Sequence, residues 1–326
     1  MKKFLLGAAA ASAAMLMLAA GASAQTFPDR AITMVVPYAA GGPTDTVARL
    51  VADAMSRNLG GRIVVENVAG AGGTLGAGRV AKADPNGYTL LLNHIGQATA
   101  PTLYPNAPYD SQTAFEPIGL IADVPMTMVS RPDLPPKTLA ELIDYARKNK
   151  DKITYANAGP GTASHLCGML FMNLTGLDLT TVPYKGTGPA MIDLIGGQVD
   201  FMCDQTTNTT SYIRADKVKV YATTTAARLP TLPQVPSAAE SGVPDLSLTI
   251  WHGLYAPKGT PAAVVEKLQR ALLAALEDPQ IKQRFNELGA LVVPPGAVTP
   301  AALKAKLAAE IVRWHTVLGQ GQSARN

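Results

Sequence analysis

Short hydrophobic runs of β-type composition alternate along the chain with segments whose apolar residues recur at helical spacing. This alternation predicts an α/β fold with largely parallel sheets, because a helix must connect one parallel strand to the next. Helices are predicted over residues 46–58, after the capping box of Thr138 and Glu141, and towards the C-terminus after Thr260 and Thr299. The predicted strands are TMVVPY (33–38), IVVENV (63–68), YTLLLN (88–93), MTMVS (126–130), ITYANA (153–158), TTVPY (180–184), VDFMC (199–203) and VKVYATT (218–224).

Two long apolar stretches indicate how the chain divides. EPIGLIADVPMTMVSR (116–131) and LSLTIWHGLYAPK (246–258) would suit paired strands that cross between two lobes. Two such crossings favour hinge closure around a ligand. We predict a first lobe of residues 25–124 plus 247–326 and a second lobe of residues 125–246. The alternative is that both stretches are interior strands of one larger sheet.

The first 24 residues have the pattern of a secretory signal peptide. Lys2 and Lys3 form a basic start, an Ala-rich apolar stretch follows, and Ala22-Ser23-Ala24 matches a small-residue cleavage motif. The alternative is an uncleaved anchor, but a membrane span needs about 20 strongly apolar residues and this stretch is shorter. We therefore expect a soluble periplasmic protein that is cleaved before Gln25.

Composition argues against some partners and leaves the state of the cysteines open. The formal net charge is only +4, aromatic residues make up 6% of the chain, and no Lys/Arg cluster is present, so a nucleic-acid partner is not expected. After export, Cys167 and Cys203 would lie in an oxidising compartment, where they could form a disulfide or remain two separate buried thiols. No closely spaced His/Cys cluster occurs, and we expect no metal site.

Glycine-rich loops occur at three junctions between a predicted strand and a predicted helix. They are VPYAAGGPTDT (36–46), NAGPGTASH (157–165) and VPYKGTG (182–188). A helix N-terminus presents free N–H groups and a partial positive charge, so each loop could bind carboxylate or phosphate. In the first loop, Thr44 is the expected N-cap and Asp45 suits the first turn. Each loop could also be a plain connection, but three of them aimed at one cleft would suit a small ligand with several carboxylates.

Neither nucleotide binding nor catalysis is favoured by the motifs. No Lys follows the first loop as a P-loop requires, and AGAGGTLGAGRVA (69–81) matches the dinucleotide fingerprint only loosely. His94 follows a strand and could reach a cleft, and His165 adjoins Ser164, but no esterase elbow, zinc-helix motif or carboxylate pair accompanies them. A catalytic serine needs a base within reach and a third orienting group. We therefore expect no enzymatic activity and no cofactor; the alternative is an enzyme acting on a small acid.

Asp204 is the unusual member of DQTTNTT (204–210), a hydroxyl- and amide-rich run that follows a predicted strand. A carboxylate that faces an anion site repels the ligand unless the ligand also carries a cation, such as an α-ammonium group. Alternatively, Asp204 points away and holds a backbone N–H or Lys185. The sequence leaves both readings open.

Several segments taken together resemble the periplasmic substrate-binding receptors of tripartite tricarboxylate transporters, the Bug family. The resemblance covers essentially the whole mature chain. It implies a two-lobed, type II-like periplasmic binding protein fold, in which each lobe is a mixed, mostly parallel sheet flanked by helices and a two-segment hinge joins the lobes. The segments are FPDRAITMVVPYAAGGPTDTVAR (27–49), VVENVAGAGGTLGA (64–77), DPNGYTLLL (84–92), VPYKGTGPAMIDLIGGQVD (182–200) and WHGLYAPKGTP (251–261).

The resemblance also implies a binding function: capture of a small carboxylate and its delivery to integral-membrane permease subunits. The motifs SHLCG, VPYKGTG and CDQTTNT are similar to members that bind dicarboxylates or acidic amino acids such as aspartate. A ligand sensor that feeds a signalling partner is the alternative, and we expect a monomer. The ligand-binding residues that the resemblance implies are Tyr38, Ala40, Gly41, Thr44, Asp45, His94, Gly161, Thr162, Ala163, Ser164, His165, Lys185, Gly186, Thr187 and Asp204.

Overall fold

A computed structural model describes residues 27–323, so the predicted signal peptide lies outside the described residues. The strands are β1 (Ile32–Val36), β2 (Ile63–Asn67), β3 (Thr89–His94), β4 (Phe115–Ser130), β5 (Thr154–Asn157), β6 (Thr180–Pro183), β7 (Phe201–Gln205), β8 (Lys219–Thr223), β9 (Thr249–Pro257) and β10 (Leu291–Val292). The α-helices are α1 (Pro43–Leu59), α2 (Thr74–Ala81), α3 (Gly96–Leu103), α4 (Leu139–Lys148), α5 (Ala163–Thr175), α6 (Thr187–Ile195), α7 (Thr206–Arg214), α8 (Ala262–Glu277), α9 (Pro279–Glu287) and α10 (Pro300–Ser323).

The 16-residue strand β4 belongs to two groups of strands, which we call the first lobe and the second lobe. From Phe115 to Pro125 it pairs with β9, and β10 lies on its other side. From Met126 to Ser130 it pairs with β7 on one side and β8 on the other. The chain therefore passes from one lobe to the other within a single strand, between Pro125 and Met126.

The first lobe contains the strand order β2-β1-β3-β9-β4. Strands β1, β2 and β3 are parallel, whereas β9 runs antiparallel to β3 and β4. Helix α1 buries Val47, Val51 and Ala54, which are spaced to form one apolar face, and it packs against α8. This packing holds the N-terminus of α1 at the carboxyl end of β1.

The second lobe has the same kind of construction. Strands β5, β6 and β7 are parallel, and β4 runs antiparallel to β7 and β8. Helices α5, α6 and α7 begin directly after, or within a few residues of, the carboxyl ends of β5, β6 and β7. Because the carboxyl ends of parallel strands share one edge of a sheet, the three helices start close together.

The start of α1 differs from the sequence prediction. The N-cap is Gly42 and Pro43 occupies the first helical position, so the predictions of Thr44 as N-cap and of a helix beginning at Thr46 were wrong. Proline favours the first helical position because its fixed φ suits a helix and its missing N–H would have no partner there. By contrast, Thr138 is the N-cap of α4 as predicted, and its side chain accepts a hydrogen bond from the Glu141 N–H.

Helix α7 was not predicted at all. The run Thr206, Thr207, Asn208, Thr209 and Thr210 has the β-branched composition of a strand or loop, yet these residues form the first turns of a helix and are buried. Tertiary contacts outweigh intrinsic propensity here, since Thr206 Oγ1 donates to the Gly289 carbonyl at 3.1 Å. None of the described helices has the length and apolar character that a membrane span requires.

Candidate functional site

A small cavity lies between the two lobes, at the point where four helices begin. Helices α1, α5, α6 and α7 start there, with N-caps Gly42, Thr162, Gly186 and Gln205. The cavity volume is ≈ 20 Å³. Its lining contains no lysine and no arginine from residues 27–323. The lining residues are Tyr38, Ala39, Gly42, Pro43, Thr44, Asp45, His94, Ala158, Thr162, Ala163, Ser164, Gly186, Thr187, Asp204 and Gln205.

These four helix N-termini carry no side-chain caps. None of the N-cap side chains accepts a hydrogen bond from its own helix, and two of the four N-caps are glycines without a side chain. The first N–H groups of a helix have no partner within it, and each N-terminus carries about half a positive charge. Together they form a site suited to an anion.

On the first lobe, Asp45 holds the loop that precedes α1. Its carboxylate accepts hydrogen bonds from the Gly41 N–H at 3.0 Å, from Arg49 Nε at 2.9 Å and from Asn67 Nδ2 at 3.0 Å. Burial alone would raise the pKa of Asp45, but these partners outweigh it and lower the pKa below its ordinary value. Asp45 is therefore ionised, and Arg49 balances its charge. Its hydrogen bond with the Gly41 N–H holds the loop in place.

Tyr38 and His94 stack on each other on the same lobe. Their ring centroids are 4.5 Å apart with an interplanar angle of 10°. Tyr38 Oη donates to Asn93 Oδ1 at 3.1 Å, and His94 Nδ1 accepts from the Gly96 N–H at 3.0 Å, which places the proton of the neutral ring on Nε2. Burial, with a smaller contribution from His252, lowers the pKa of His94 well below its ordinary value. His94 is thus a neutral donor at pH 7.

On the second lobe, the hydroxyls of the loop before α5 are already engaged. Thr162 Oγ1 donates to the Gly159 carbonyl at 2.7 Å, and Ser164 Oγ accepts from the Ala158 N–H at 2.9 Å. Both residues are buried. Their side chains shape the loop and leave the N-terminus of α5 to face the cavity.

Several buried polar groups of the second lobe lack partners. Five buried atoms of this lobe make no hydrogen bond to any described residue: Thr187 Oγ1, Asp204 Oδ1, Gln205 Oε1, Thr207 Oγ1 and Thr231 Oγ1. The first three of these residues line the cavity. A buried polar atom without a partner is costly, and such groups in native proteins usually have a functional explanation.

Asp204 faces the cavity with one of its two carboxylate oxygens. Its Oδ2 accepts from Asn208 Nδ2 at 2.6 Å, and no ion pair to Lys185 forms. Burial raises the pKa of Asp204 to about 6, although the hydrogen bond from Asn208 and the nearby Gln205 N–H partly oppose the shift. The Thr187 hydroxyl lies beside the carboxyl group but outside hydrogen-bonding geometry. The carboxyl group therefore titrates near neutral pH, and in its ionised form Oδ1 can accept a hydrogen bond or contact a cation.

Ten of the fifteen predicted binding residues line the cavity, and five do not. The side chain of Lys185 is exposed, and His165 Nδ1 accepts from the Gly161 N–H at 3.3 Å within its own loop. The five outside the lining are Ala40, Gly41, Gly161, His165 and Lys185. The prediction missed five lining residues: Ala39, Gly42, Pro43, Ala158 and Gln205. Gln205 lies in the polar run that contains Asp204 and could have been found; Ala39 and Ala158 carry no chemical signal.

Contacts between the lobes surround this cavity. The Ala39 N–H donates to the Lys185 carbonyl at 3.2 Å, and Thr99 Oγ1 donates to the Gly161 carbonyl at 2.7 Å. Tyr104 Oη donates to the Pro160 carbonyl at 3.0 Å. Two of the predicted residues that do not line the cavity, Gly161 and Lys185, thus contribute backbone carbonyls to the contacts between the lobes.

A disulfide braces the second lobe beside the cavity. It joins Cys167 on α5 to Cys203 on β7, with Cα atoms 6.0 Å apart. Cys203 precedes Asp204 directly, so the bridge ties α5 to the strand that presents this carboxylate. No group of three or more His, Cys, Asp or Glu side chains that could hold a metal ion occurs within the described range.

Two α/β lobes that share a cavity lined by uncapped helix N-termini define a solute-binding protein. The sequence model of the tripartite tricarboxylate transporter family receptor matches residues 47–318, and the chain belongs to this family. This result confirms the predicted family. Because the family consists of binding receptors, the chain is not an enzyme.

Solved structures agree with this assignment. The periplasmic binding protein BugD is 52% identical and has a TM-score of 0.88, and the match covers 90% of this chain and 98% of that one. MatC from Rhodopseudomonas palustris with bound malate is 43% identical (TM-score 0.86; 89% and 99% covered). Rpa4515 from R. palustris with adipate is 34% identical (TM-score 0.84; 89% and 97% covered). The predicted two-lobed periplasmic binding protein fold is thereby confirmed.

Proposed function

We propose that this protein is an exported receptor that captures a small carboxylate between its lobes and delivers it to a permease of the tripartite tricarboxylate transporter type. Dicarboxylates and acidic amino acids such as aspartate are the favoured ligands. The observation that carries this proposal is the convergence of four uncapped helix N-termini on a cavity without lysine or arginine. Such a site attracts a carboxylate through N–H groups and helix dipoles.

The structural neighbours support the ligand class. MatC was solved with malate and Rpa4515 with adipate, and both ligands are dicarboxylic acids. The two acids differ in chain length, so one fold serves ligands of different size. A site made largely of backbone N–H groups, as we propose for this protein, would account for such tolerance, because it recognises a carboxylate group and not the rest of the molecule.

Ligand entry requires the lobes to separate. A cavity of ≈ 20 Å³ has room for about one water molecule, which is far less than a dicarboxylate needs. We propose that the lobes are residues 25–124 plus 247–326 and residues 125–246, and that they open about the two crossings near Pro125 and Leu248. On closing, the hydrogen bonds from Ala39 to Lys185 and from Thr99 to Gly161 would re-form around the ligand.

Asp204 is the residue from which we infer which kind of carboxylate is preferred. Its unpartnered Oδ1 would meet an α-ammonium group, which succinate and malate lack and aspartate carries. An ionised Asp204 would repel the carboxylates of an unaminated acid. We infer that the protein prefers an acidic amino acid when Asp204 is ionised.

The test is a thermal-shift screen of mono- and dicarboxylates and acidic amino acids, followed by calorimetry. A ligand that binds the folded state raises the melting temperature by mass action. Replacing Asp204 by Asn should weaken aspartate about tenfold or more and leave succinate unchanged or tighter, as expected when a hydrogen bond between charged groups is lost. The matched control is Asp178→Asn, an exposed position of the same lobe, which should change neither affinity.

The outcomes separate the two levels of the proposal. If no small carboxylate raises the melting temperature, the carboxylate function itself fails. If succinate binds more tightly than aspartate to the unmodified protein, only the role of Asp204 fails.

Export is tested by mass spectrometry of the periplasmic fraction, where the chain should begin at Gln25. Transport is tested by deleting the receptor gene: loss of ligand uptake by the cells would support a role in transport over a role in signalling.

A further inference from the structure

Cys167 and Gly168, the last two residues of the motif SHLCG, lie on α5 but do not line the interlobe cavity. Both contact the strands of the second lobe. Cys167 forms the disulfide with Cys203 of β7, and a Cβ at Gly168 would lie 2.2 Å from Cε1 of Tyr155 on β5. A side chain at position 168 therefore has no room, and the glycine lets the Tyr155 ring approach the backbone of α5.

Tyr155 connects α5 to β7 through its hydroxyl. Tyr155 Oη donates to the Ser164 carbonyl at 2.5 Å and accepts from the Cys203 N–H at 3.2 Å. The hydroxyl has a single proton, so it acts here once as a donor and once as an acceptor. Because Tyr155 is only 1% exposed, both hydrogen bonds lie in the interior of the lobe.

The two residues that this hydroxyl joins adjoin the groups with which the second lobe faces the cavity. Ser164 lines the cavity and lies in the first turn of α5, where the N–H groups have no partner within the helix. Cys203 directly precedes Asp204, which also lines the cavity. The disulfide between Cys167 and Cys203 joins the same helix and strand. One hydrogen-bonded connection and one covalent connection thus hold the α5 N-terminus at a set separation from Asp204.

We propose that Tyr155 is a positioning residue for ligand binding, because its hydroxyl sets the separation between the α5 N-terminus and Asp204. This inference rests on the proposed function, in which the N-terminus meets a carboxylate and Asp204 meets an ammonium group. In aspartate a few bonds join these two groups, so the ligand reaches both partners only when α5 and β7 keep their separation. Such sites need their groups held to within about 0.5 Å. Succinate has no ammonium group and depends less on this separation.

The test is Tyr155→Phe in the full mature protein, which removes the hydroxyl and keeps the ring. Calorimetry should show that aspartate binds about fivefold more weakly, the effect of one lost hydrogen bond, and that succinate binds at most about twofold more weakly. The ratio of the two affinities is the decisive reading, because a loss of stability alone would not distinguish the two ligands.

A second measurement needs no ligand. If the Tyr155 hydroxyl holds α5 against β7, its loss lets the reduced Cys167 and Cys203 move apart more readily, and the effective concentration of the two thiols falls. The equilibrium constant for reduction of the disulfide by dithiothreitol should therefore rise about threefold in Tyr155→Phe. Alkylation of the free thiols followed by mass spectrometry measures this constant.

Tyr221→Phe is the matched control in the same lobe. Tyr221 is buried, and its Oη lies 2.9 Å from Ser130 Oγ and 3.3 Å from the Pro136 carbonyl, but neither partner lines the cavity. This variant should change neither the affinity ratio nor the disulfide equilibrium. Gly168→Ala should reproduce the effects of Tyr155→Phe, because its Cβ displaces the ring while the hydroxyl stays, and it replaces Tyr155→Phe if that variant does not fold.

The outcomes separate this inference from the proposed function. An unchanged ratio of aspartate to succinate affinities in Tyr155→Phe and Gly168→Ala would overturn the positioning role, and so would an unchanged disulfide equilibrium. Equal changes in Tyr221→Phe would overturn it as well, since the loss of any buried hydroxyl would then suffice. If no small carboxylate binds to the unmodified protein, the proposed function itself fails and this inference fails with it.

Discussion

The two sides of the interlobe cavity differ in how their polar groups are satisfied. On the first lobe, Asp45 accepts three hydrogen bonds and Tyr38 is held by Asn93 and stacked on His94. On the second lobe, buried oxygens of Thr187, Asp204 and Gln205 have no partner. The first side is therefore held in one arrangement by its own hydrogen bonds, and the second side carries the unsatisfied groups that, in our proposal, a ligand would complete. We expect the first side to determine stability and the second to determine specificity.

The largest expected loss of affinity comes from a variant that tests whether ligand binding needs the two sides of the cavity to be in contact. A Cβ at Gly188 would lie 2.8 Å from the Ala40 carbonyl oxygen and 3.0 Å from the Gly41 carbonyl carbon, both on the opposite lobe. Gly188→Ala should therefore weaken the ligand found by the thermal-shift screen about 100-fold or more, or about 2.7 kcal/mol. Calorimetry measures this loss.

The matched control for this prediction is Gly196→Ala, at the other end of the same helix α6. A Cβ there would have its closest contact at 3.4 Å, from the Ile192 carbonyl oxygen of its own helix. Affinity should be unchanged in this variant. Equal affinities for Gly188→Ala and the unmodified protein would show that binding does not need the closed arrangement.

The next prediction concerns the pH dependence of the second side. Burial raises the pKa of Asp204 to about 6, above its value of about 4 in an unfolded chain. The protonated group thus favours the folded state: its contribution is complete below pH about 4 and is lost as the pH rises through about 6. Over this window, the free energy of unfolding of the ligand-free protein should fall by roughly 2–3 kcal/mol relative to Asp204→Asn. Urea titrations at several pH values measure the difference, and parallel profiles would contradict a buried, unpaired Asp204.

The corresponding prediction on the first side is a loss of stability at neutral pH. Asp45→Ala should lower the free energy of unfolding by about 2 kcal/mol, because it removes charged hydrogen bonds from a side chain that is only 5% exposed. Asp53→Ala is the control, since Asp53 pairs with Arg57 at the same i,i+4 spacing on α1 but is 73% exposed. It should change stability little. If the two variants lose the same stability, burial does not distinguish them and the contrast fails.

The smallest effect compares two threonines of the second lobe. Thr187 Oγ1 has no partner among the described residues, so Thr187→Val should weaken the ligand by about 1 kcal/mol and leave the ligand-free melting temperature unchanged. Thr162 Oγ1 already donates to the Gly159 carbonyl, so Thr162→Val should lower the melting temperature. Calorimetry and thermal unfolding of both variants give the two readings. The reverse pattern would place the ligand at Thr162.

Much of this protein could be predicted from local sequence patterns. The alternation of apolar runs and helical segments predicted the α/β class, and the two extended stretches predicted the positions of β4 and β9. Each of the three predicted glycine loops precedes a helix whose N-terminus lies at the cavity. These successes share a cause: hydrophobic period, glycine and proline act on the backbone within a few residues.

Other features required the tertiary structure. Helix α7 forms because Thr206 and its neighbours are buried against Gly289, 83 residues away, which no local pattern encodes. The bond between Cys167 and Cys203 likewise depends on α5 packing beside β7. Ala39 and Ala158 line the cavity through their position alone.

The sequence by itself thus determined the class of fold and the positions of the three glycine loops, because these depend on short-range backbone chemistry, and its resemblance to known receptors indicated the family. Only the tertiary structure decided which polar groups are left without partners. Asp45 and Asp204 are both carboxylates near a helix start, and no local signal separates them. Asp45 is satisfied by Arg49 and Asn67, whereas Asp204 keeps one oxygen open. That difference arises from which elements pack around each residue, and it is the basis of our proposal that Asp45 is structural and Asp204 meets the ligand.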